Sequence, residues 1–98
     1  MIELKNGTGQ VLLRLEGTEI RNLMGQTVGR TRDNVLTNLQ GQVLAEVRDG
    51  KVYRGEGTAL LEVHGNDILN AAGQRLASVS GGDAGQRGLL GAAFLCFC

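Results

Sequence analysis

The sequence predicts an all-β fold. It reads as an antiparallel meander of about five short β-hairpins around a pseudo-symmetry axis, followed by a short apolar, helical C-terminal segment. Three observations carry this reading: a sixteen-residue repeat, turn-forming residues at two fixed places in each copy, and apolar columns that alternate with polar ones. The repeat is plainest in the stretch GQVLAEVRDGKVYRGE that begins at Gly41. Gly9, Gly25, Gly41, Gly57 and Gly73 follow one another at intervals of sixteen, and Gln comes next at Gln10, Gln26, Gln42 and Gln74, with Thr58 the exception.

Within a copy, Val43 to Val47 is rich in β-favouring residues and is followed by Asp49-Gly50 and then Lys51-Val52-Tyr53. Asp-Gly between two apolar runs signals a two-residue hairpin, because a type I′ turn needs φ > 0 at both central positions. Gly17-Thr18, Asp33-Asn34 and Gly65-Asn66 stand at the same place in the other copies. A second reversal is written in Asn70-Ala71-Ala72-Gly73 and repeated from Asn6, Asn22 and Asn38. Asn three residues before Gly suits a type I turn closed by a left-handed glycine, the three-residue loop with a bulge. Each copy therefore reads as strand, tight turn, short strand, bulged turn.

The columns indicate which side chains face inward. Leu12, Val28, Leu44, Leu60 and Leu76 are apolar without exception, as are Leu4, Ile20, Leu36, Val52 and Ile68, and both columns are expected in the core. Leu15, Thr31, Val47, Val63 and Val79 form a third column, mostly apolar. Arg14, Arg30, Glu46, Glu62 and Ser78 lie between them as a polar column, the alternation a sheet with one wet face produces. The column Leu13, Gly29, Ala45, Leu61, Ala77 mixes sizes, as a crowded axis requires.

Taken in order, Met1 to Lys5 is a half copy, four full copies run from Gly9 to Ala72, and Gly73 to Ser80 is a final half. Half copies at both ends suggest that the first and last strands pair and close a ring, which removes exposed sheet edges. The alternative is a β-solenoid, disfavoured because both turns look like tight reversals. Residues 1–82 form the hairpin repeat domain. Residues 83–98 form the C-terminal segment packed on the same domain, with Asp83 as helix cap and an apolar run from Leu89. Gly88 and Gly91 weaken the helix reading. The run is too short to span a membrane as a helix, which takes about 20 residues. Burial within the protomer is favoured, as a plug or a lid, over binding another copy.

Ninety-eight residues make one small domain, and 42% hydrophobic with 3% aromatic content implies an aliphatic core. Ten basic and ten acidic residues cancel, and no basic cluster stands out, so a nucleic-acid surface and electrostatic membrane docking are disfavoured. The start of the chain shows no charged or apolar leader pattern, and Cys96 and Cys98 make no disulfide framework. A reducing, cytoplasmic location is the expectation.

Chemistry-bearing motifs are few. His64, the single histidine, falls in the column Glu16, Arg32, Arg48, His64, Ser80 beside the tight turns and reads as solvated. No nucleophile–base pair and no phosphate-binding motif accompanies it. Cys96-Phe97-Cys98 is the sharpest local feature. Two thiolates can grip a soft metal, so Cys96 and Cys98 are weak candidate ligands, but a closed zinc site needs four ligands and burial as small hydrophobes is favoured. No cofactor is implied. Arg14 and Arg30 with Glu46 and Glu62 would place a positive arc beside a negative one, a solvated face or a charge-complementary contact.

Gly41-Gln42-Val43-Leu44, Val47-Arg48-Asp49-Gly50-Lys51-Val52-Tyr53 and the closing Ala92-Ala93-Phe94-Leu95 resemble the bacterial four-fold β-flower proteins and related β-flower families. The resemblance spans nearly the whole chain. It implies petals around an axis, closed by an Ala/Leu/Phe-rich segment, and it brings no catalytic residues. Five Gly turns stand where a strict four-fold would give four, so five petals and four plus closure are both open. The functional expectation is a non-enzymatic structural or protein-interaction module, with an unknown protein partner or self-association. The alternative is a small-ligand or soft-metal binder using the axial cavity or the Cys pair.

Overall fold

In a computed structural model, which describes residues 2–54 and 57–97, ten strands form a closed antiparallel barrel with a helix inside it. The strands are β1 (Ile2–Lys5), β2 (Val11–Glu16), β3 (Glu19–Asn22), β4 (Thr27–Arg32) and β5 (Val35–Thr37). They continue as β6 (Val43–Arg48), β7 (Lys51–Tyr53), β8 (Leu61–His64), β9 (Asp67–Asn70) and β10 (Arg75–Ser80), and helix α1 covers Ala84–Phe97. Each strand pairs with its sequence neighbour, and β1 closes the ring against β10, with Glu3 opposite Ser80 and Leu4 opposite Val79. The chain is thus a closed meander and not a solenoid. Four bulged hairpins, the β7–β8 hairpin and a closing pair give five petals, β1–β2 through β9–β10.

Two turn chemistries occur at the tight turns. At Asp33-Asn34 and Asp49-Gly50 both residues have positive φ, the type I′ pattern. At Gly17-Thr18 and Gly65-Asn66 only the glycine does, which suits a type II′ turn opened by Gly. The tight turns are stitched to the next petal: the N–H groups of Thr31, Val47, Val63 and Val79 donate to the carbonyls of Thr18, Asn34, Gly50 and Asn66 at 2.7–2.8 Å.

The bulged reversals sit at the opposite end, and a single asparagine templates each of the four. Asn38 Oδ1 accepts from the N–H groups of Gln40 and Gln42, both at 3.0 Å, while its Nδ2 donates to Gln42 Oε1 at 2.8 Å. Asn22 and Asn70 repeat this set with Gln26 and Gln74, and Asn6 makes the backbone part of it. The Gln that follows Gly25, Gly41 and Gly73 therefore steadies the Asn side chain. Petal four lacks both residues, with Arg54 and Thr58 in their places, and Gly57 has φ 123° where Gly9, Gly25, Gly41 and Gly73 have 80–87°.

The inward layers differ from the sequence expectation in one respect. Leu4, Ile20, Leu36, Val52 and Ile68 are fully buried. Leu12, Val28, Leu44 and Leu76 are only half-buried, packed against the edge of the core, and Leu60 is 39% exposed. The register explains this. Leu4 faces Leu13 while Lys5 faces Val11, and the same skip recurs at Val28, Leu44 and Leu76, so each is the extra residue of a bulge. The fully inward place next to it is taken by the mixed-size column, Leu13, Gly29, Ala45, Leu61 and Ala77.

Helix α1 fills the axis. Gly88 to Ala93 are six consecutive buried residues, and consecutive helical positions point in all directions, so the wall surrounds the helix. It packs against β1, β2 and β4 to β10. Asp83 caps it as expected, in a reciprocal box in which Gln86 N–H donates to Asp83 Oδ1 (2.8 Å) and Asp83 N–H to Gln86 Oε1 (3.0 Å). Gly88 and Gly91 lie inside the helix because the wall leaves no room: a Cβ on Gly88 would stand 2.7 Å from Val47 Cγ1, and one on Gly91 3.1 Å from Ile68 Cγ2. Close approach outweighs glycine's helix cost of roughly 1 kcal/mol each. Starting among the tight turns, where Arg87 Nη1 donates to the Gly65 carbonyl (3.0 Å), the helix ends with Phe97 against Gly29, towards the bulged turns. Its fourteen residues span about 21 Å, which matches the 21 Å short extent of a disc 31 Å across.

Candidate functional site: the bulged-turn face

Because the meander alternates its connections, the four bulged reversals and the β7–β8 connection share one end of the barrel and the tight turns the other. The two ends are chemically unlike. The large apolar side chains that are exposed among the described residues, Leu23, Met24, Leu39, Val43, Leu60 and Leu95, all lie at the bulged-turn end. Met24 is 82% exposed and Val43 67%. Leu23 and Met24 occupy the two central places of the petal-two loop, Leu39 the first of petal three, and Val43 opens β6 directly after it. These adjacent petals form an apolar crescent. Leu95 extends it from the C-terminal turn of α1, and Leu60 lies on the petal-four side. The tight-turn end instead presents Gly, Thr, Asp and Asn.

The loops hold this face without help from its apolar side chains. Asn22 Oδ1 takes the N–H groups of Met24 and Gln26, and Asn38 does the same in petal three, so the backbone is fixed while the tips point outward. No folding requirement is visible for Leu or Met there, since Gly7-Thr8 and Ala71-Ala72 stand at the corresponding places of petals one and five. The sequence contained a signal for this surface: large apolar residues at the tip of an Asn-x-x-Gly loop, where water-facing residues are the norm.

The residues singled out earlier for chemistry do not converge. Cys96 is half-buried, and burial pushes its thiol pKa up, with the Arg54 guanidinium pulling it the other way; neither effect leaves a reactive thiolate at neutral pH. Cys98 lies outside the described residues, and so does Glu56 of the repeat. No cluster of three or more His, Cys, Asp or Glu suited to a metal occurs among the described residues. His64 is exposed, with Nε2 2.9 Å from Glu62 Oε1. Arg14, Arg30, Glu46 and Glu62 lie in turn on β2, β4, β6 and β8 around the ring, and three of them have charged neighbours close by. Arg14 pairs with Glu3 (3.2 Å), Glu46 with Arg48 (3.3 Å) and Glu62 with His64, local exposed pairs of little energetic weight. Arg48 also stacks over Tyr53 at 4.2 Å from the ring centroid. The axis that could have held a ligand holds α1, and no pocket opens among the described residues. None of the described helices is long and apolar enough to cross a membrane.

Ten strands in five hairpins, closed by β1 against β10, define the ring's symmetry, and the model of a family described as 5-fold beta-flower protein matches residues 2–98. The chain belongs to that family. The four-fold β-flower likeness drawn from the motifs is thereby refined to the five-fold one, and the question of four petals plus closure is answered by five hairpins, β1–β2 through β9–β10, with β1 against β10 closing the ring. No curated protein and no solved structure matches this β-flower chain.

Proposed function

We propose that this β-flower protein is a non-enzymatic structural or protein-interaction module that works through its bulged-turn face. The observation that carries the reading is the confinement of exposed large apolar side chains to one end of the barrel, on loops whose geometry does not require them. Contiguous apolar surface rimmed by polar groups is what contact sites on soluble proteins present. A repeat ring offers several copies of one loop on a common plane, which suits a broad contact better than the convergence of unlike groups that catalysis requires. The test is the stability of a chain carrying Leu23→Ser, Met24→Ser, Leu39→Ser and Val43→Thr, followed by urea unfolding. A contact face leaves the unfolding free energy within about 0.5 kcal/mol per site, as at ordinary surface positions. A loss well above 2 kcal/mol per site, the scale of core truncations, would mean that these residues serve the fold, and the reading would lose its basis.

A further inference from the structure

We infer that the partner of the bulged-turn face is a second copy of the same chain, packed face to face about a two-fold axis. The inference rests on the interaction-module reading and adds the occupant. Area is the first argument. A disc 31 Å across presents a face of about 750 Å², close to the roughly 800 Å² per partner of a standard stable interface. The crescent supplies an apolar centre for it, and the Asn and Gln groups of four of the five loops supply a polar rim.

Symmetry is the second. A two-fold contact must be self-complementary, each residue meeting a residue of the other copy that meets it in return. Petals two and three are neighbours and both carry apolar tips. An axis passing between them sets Leu23 and Met24 of one copy against Leu39 and Val43 of the other, and the reverse. Charge is the third. Ten basic and ten acidic residues leave no net charge to hold two copies apart. Of the cations near this face, Arg21 is partly neutralised within the chain by Glu16 (3.3 Å) and Glu19 (2.8 Å) and Arg75 by Asp67 (3.9 Å), while Lys5 and Arg54 stand at the same end.

The experiment is native mass spectrometry with sedimentation velocity on the full chain, under reducing conditions so that cysteines cannot cross-link copies. The wild type should run as a dimer at micromolar concentration. Met24→Lys, at the centre of the crescent, should weaken the dimer by about tenfold or more, as loss of a buried anchor does. Thr18→Lys adds the same charge at the tight-turn end and should leave the dimer intact. A wild-type monomer at high concentration would overturn the inference, as would a dimer indifferent to Met24→Lys. If the monomer appears while the four-site Ser/Thr variant keeps its stability, the second copy is excluded but the contact-face reading stands. Loss of stability in that variant removes the contact-face reading itself. Binding of a monomeric wild type to vesicles of anionic lipid, lost in Met24→Lys, would overturn the inference in favour of a membrane surface.

Discussion

The wall and the helix of this β-flower follow opposite rules, and they meet along one layer. The wall repeats: Leu4, Ile20, Leu36, Val52 and Ile68 are equivalent in place, apolar and fully buried. The helix has no repeat, so its sides differ from one petal to the next. The cost of fitting an asymmetric object into a symmetric ring falls on the one inward column that varies, Leu13, Gly29, Ala45, Leu61 and Ala77. Petal two, which carries Gly29, is where Phe97 lies: a Cβ there would come within 2.9 Å of the ring. The helix concedes in turn at Gly88 and Gly91, against Val47 and Ile68. Regularity in a repeat marks what the copies owe one another, and irregularity marks what they owe the plug.

The comparison is broken most severely from the helix side. Leu90 is fully buried between helix and wall, and Leu90→Ala should cost about 2–5 kcal/mol in urea unfolding, since a ring closed around the helix cannot collapse onto the void. An unchanged midpoint would mean that the helix is not part of the core. A smaller effect should follow from making petal two like petals one and four. Gly29→Leu should destabilise by about 1–3 kcal/mol through overpacking. Adding Phe97→Ala should restore part of that loss, with the remainder set by the Thr37 carbonyl, 2.9 Å from the added Cβ. Additive losses in this double-mutant cycle would show that Phe97 and Gly29 are not coupled. The smallest effect runs the other way and sharpens the wall. Installing Arg54→Asn with Thr58→Gln gives petal four the loop chemistry of its neighbours. It should raise the unfolding temperature by several degrees, the equivalent of about 1 kcal/mol for a domain of this size. A lower melting temperature would show that the petal-four backbone does not suit the Asn-templated loop.

Much of the wall was legible because its signals are local. Positive-φ residues at Asp33-Asn34 and Asp49-Gly50, and Asn three places before Gly25 and Gly41, decide their turns within four residues. Asp83 was legible as a cap for the same reason. The column of Leu12 was misjudged because a bulge inserts one residue and resets the period of two, and nothing within the strand announces the skip. The glycines of α1 read as helix breakers because their cause is distant, in Val47 and Ile68. Of the candidate site, Leu23 and Leu39 were read only as turn positions. Their exposure depends on the bulged reversals lying at one end, which the strand order, not any single loop, determines.

The pairing of β1 with β10 also sets a timetable. As the chain leaves the ribosome, nine strands precede the one that seals the ring, and the helix that fills it comes later still. Until then Ile20, Leu36, Val52 and Ile68 have wet neighbours and two open sheet edges beside them. Sealing depends on a contact between residues more than seventy positions apart, the kind of closure that slows folding. The nascent chain is therefore exposed to misassembly until β10 has emerged, and the helix that follows β10 ends that exposure.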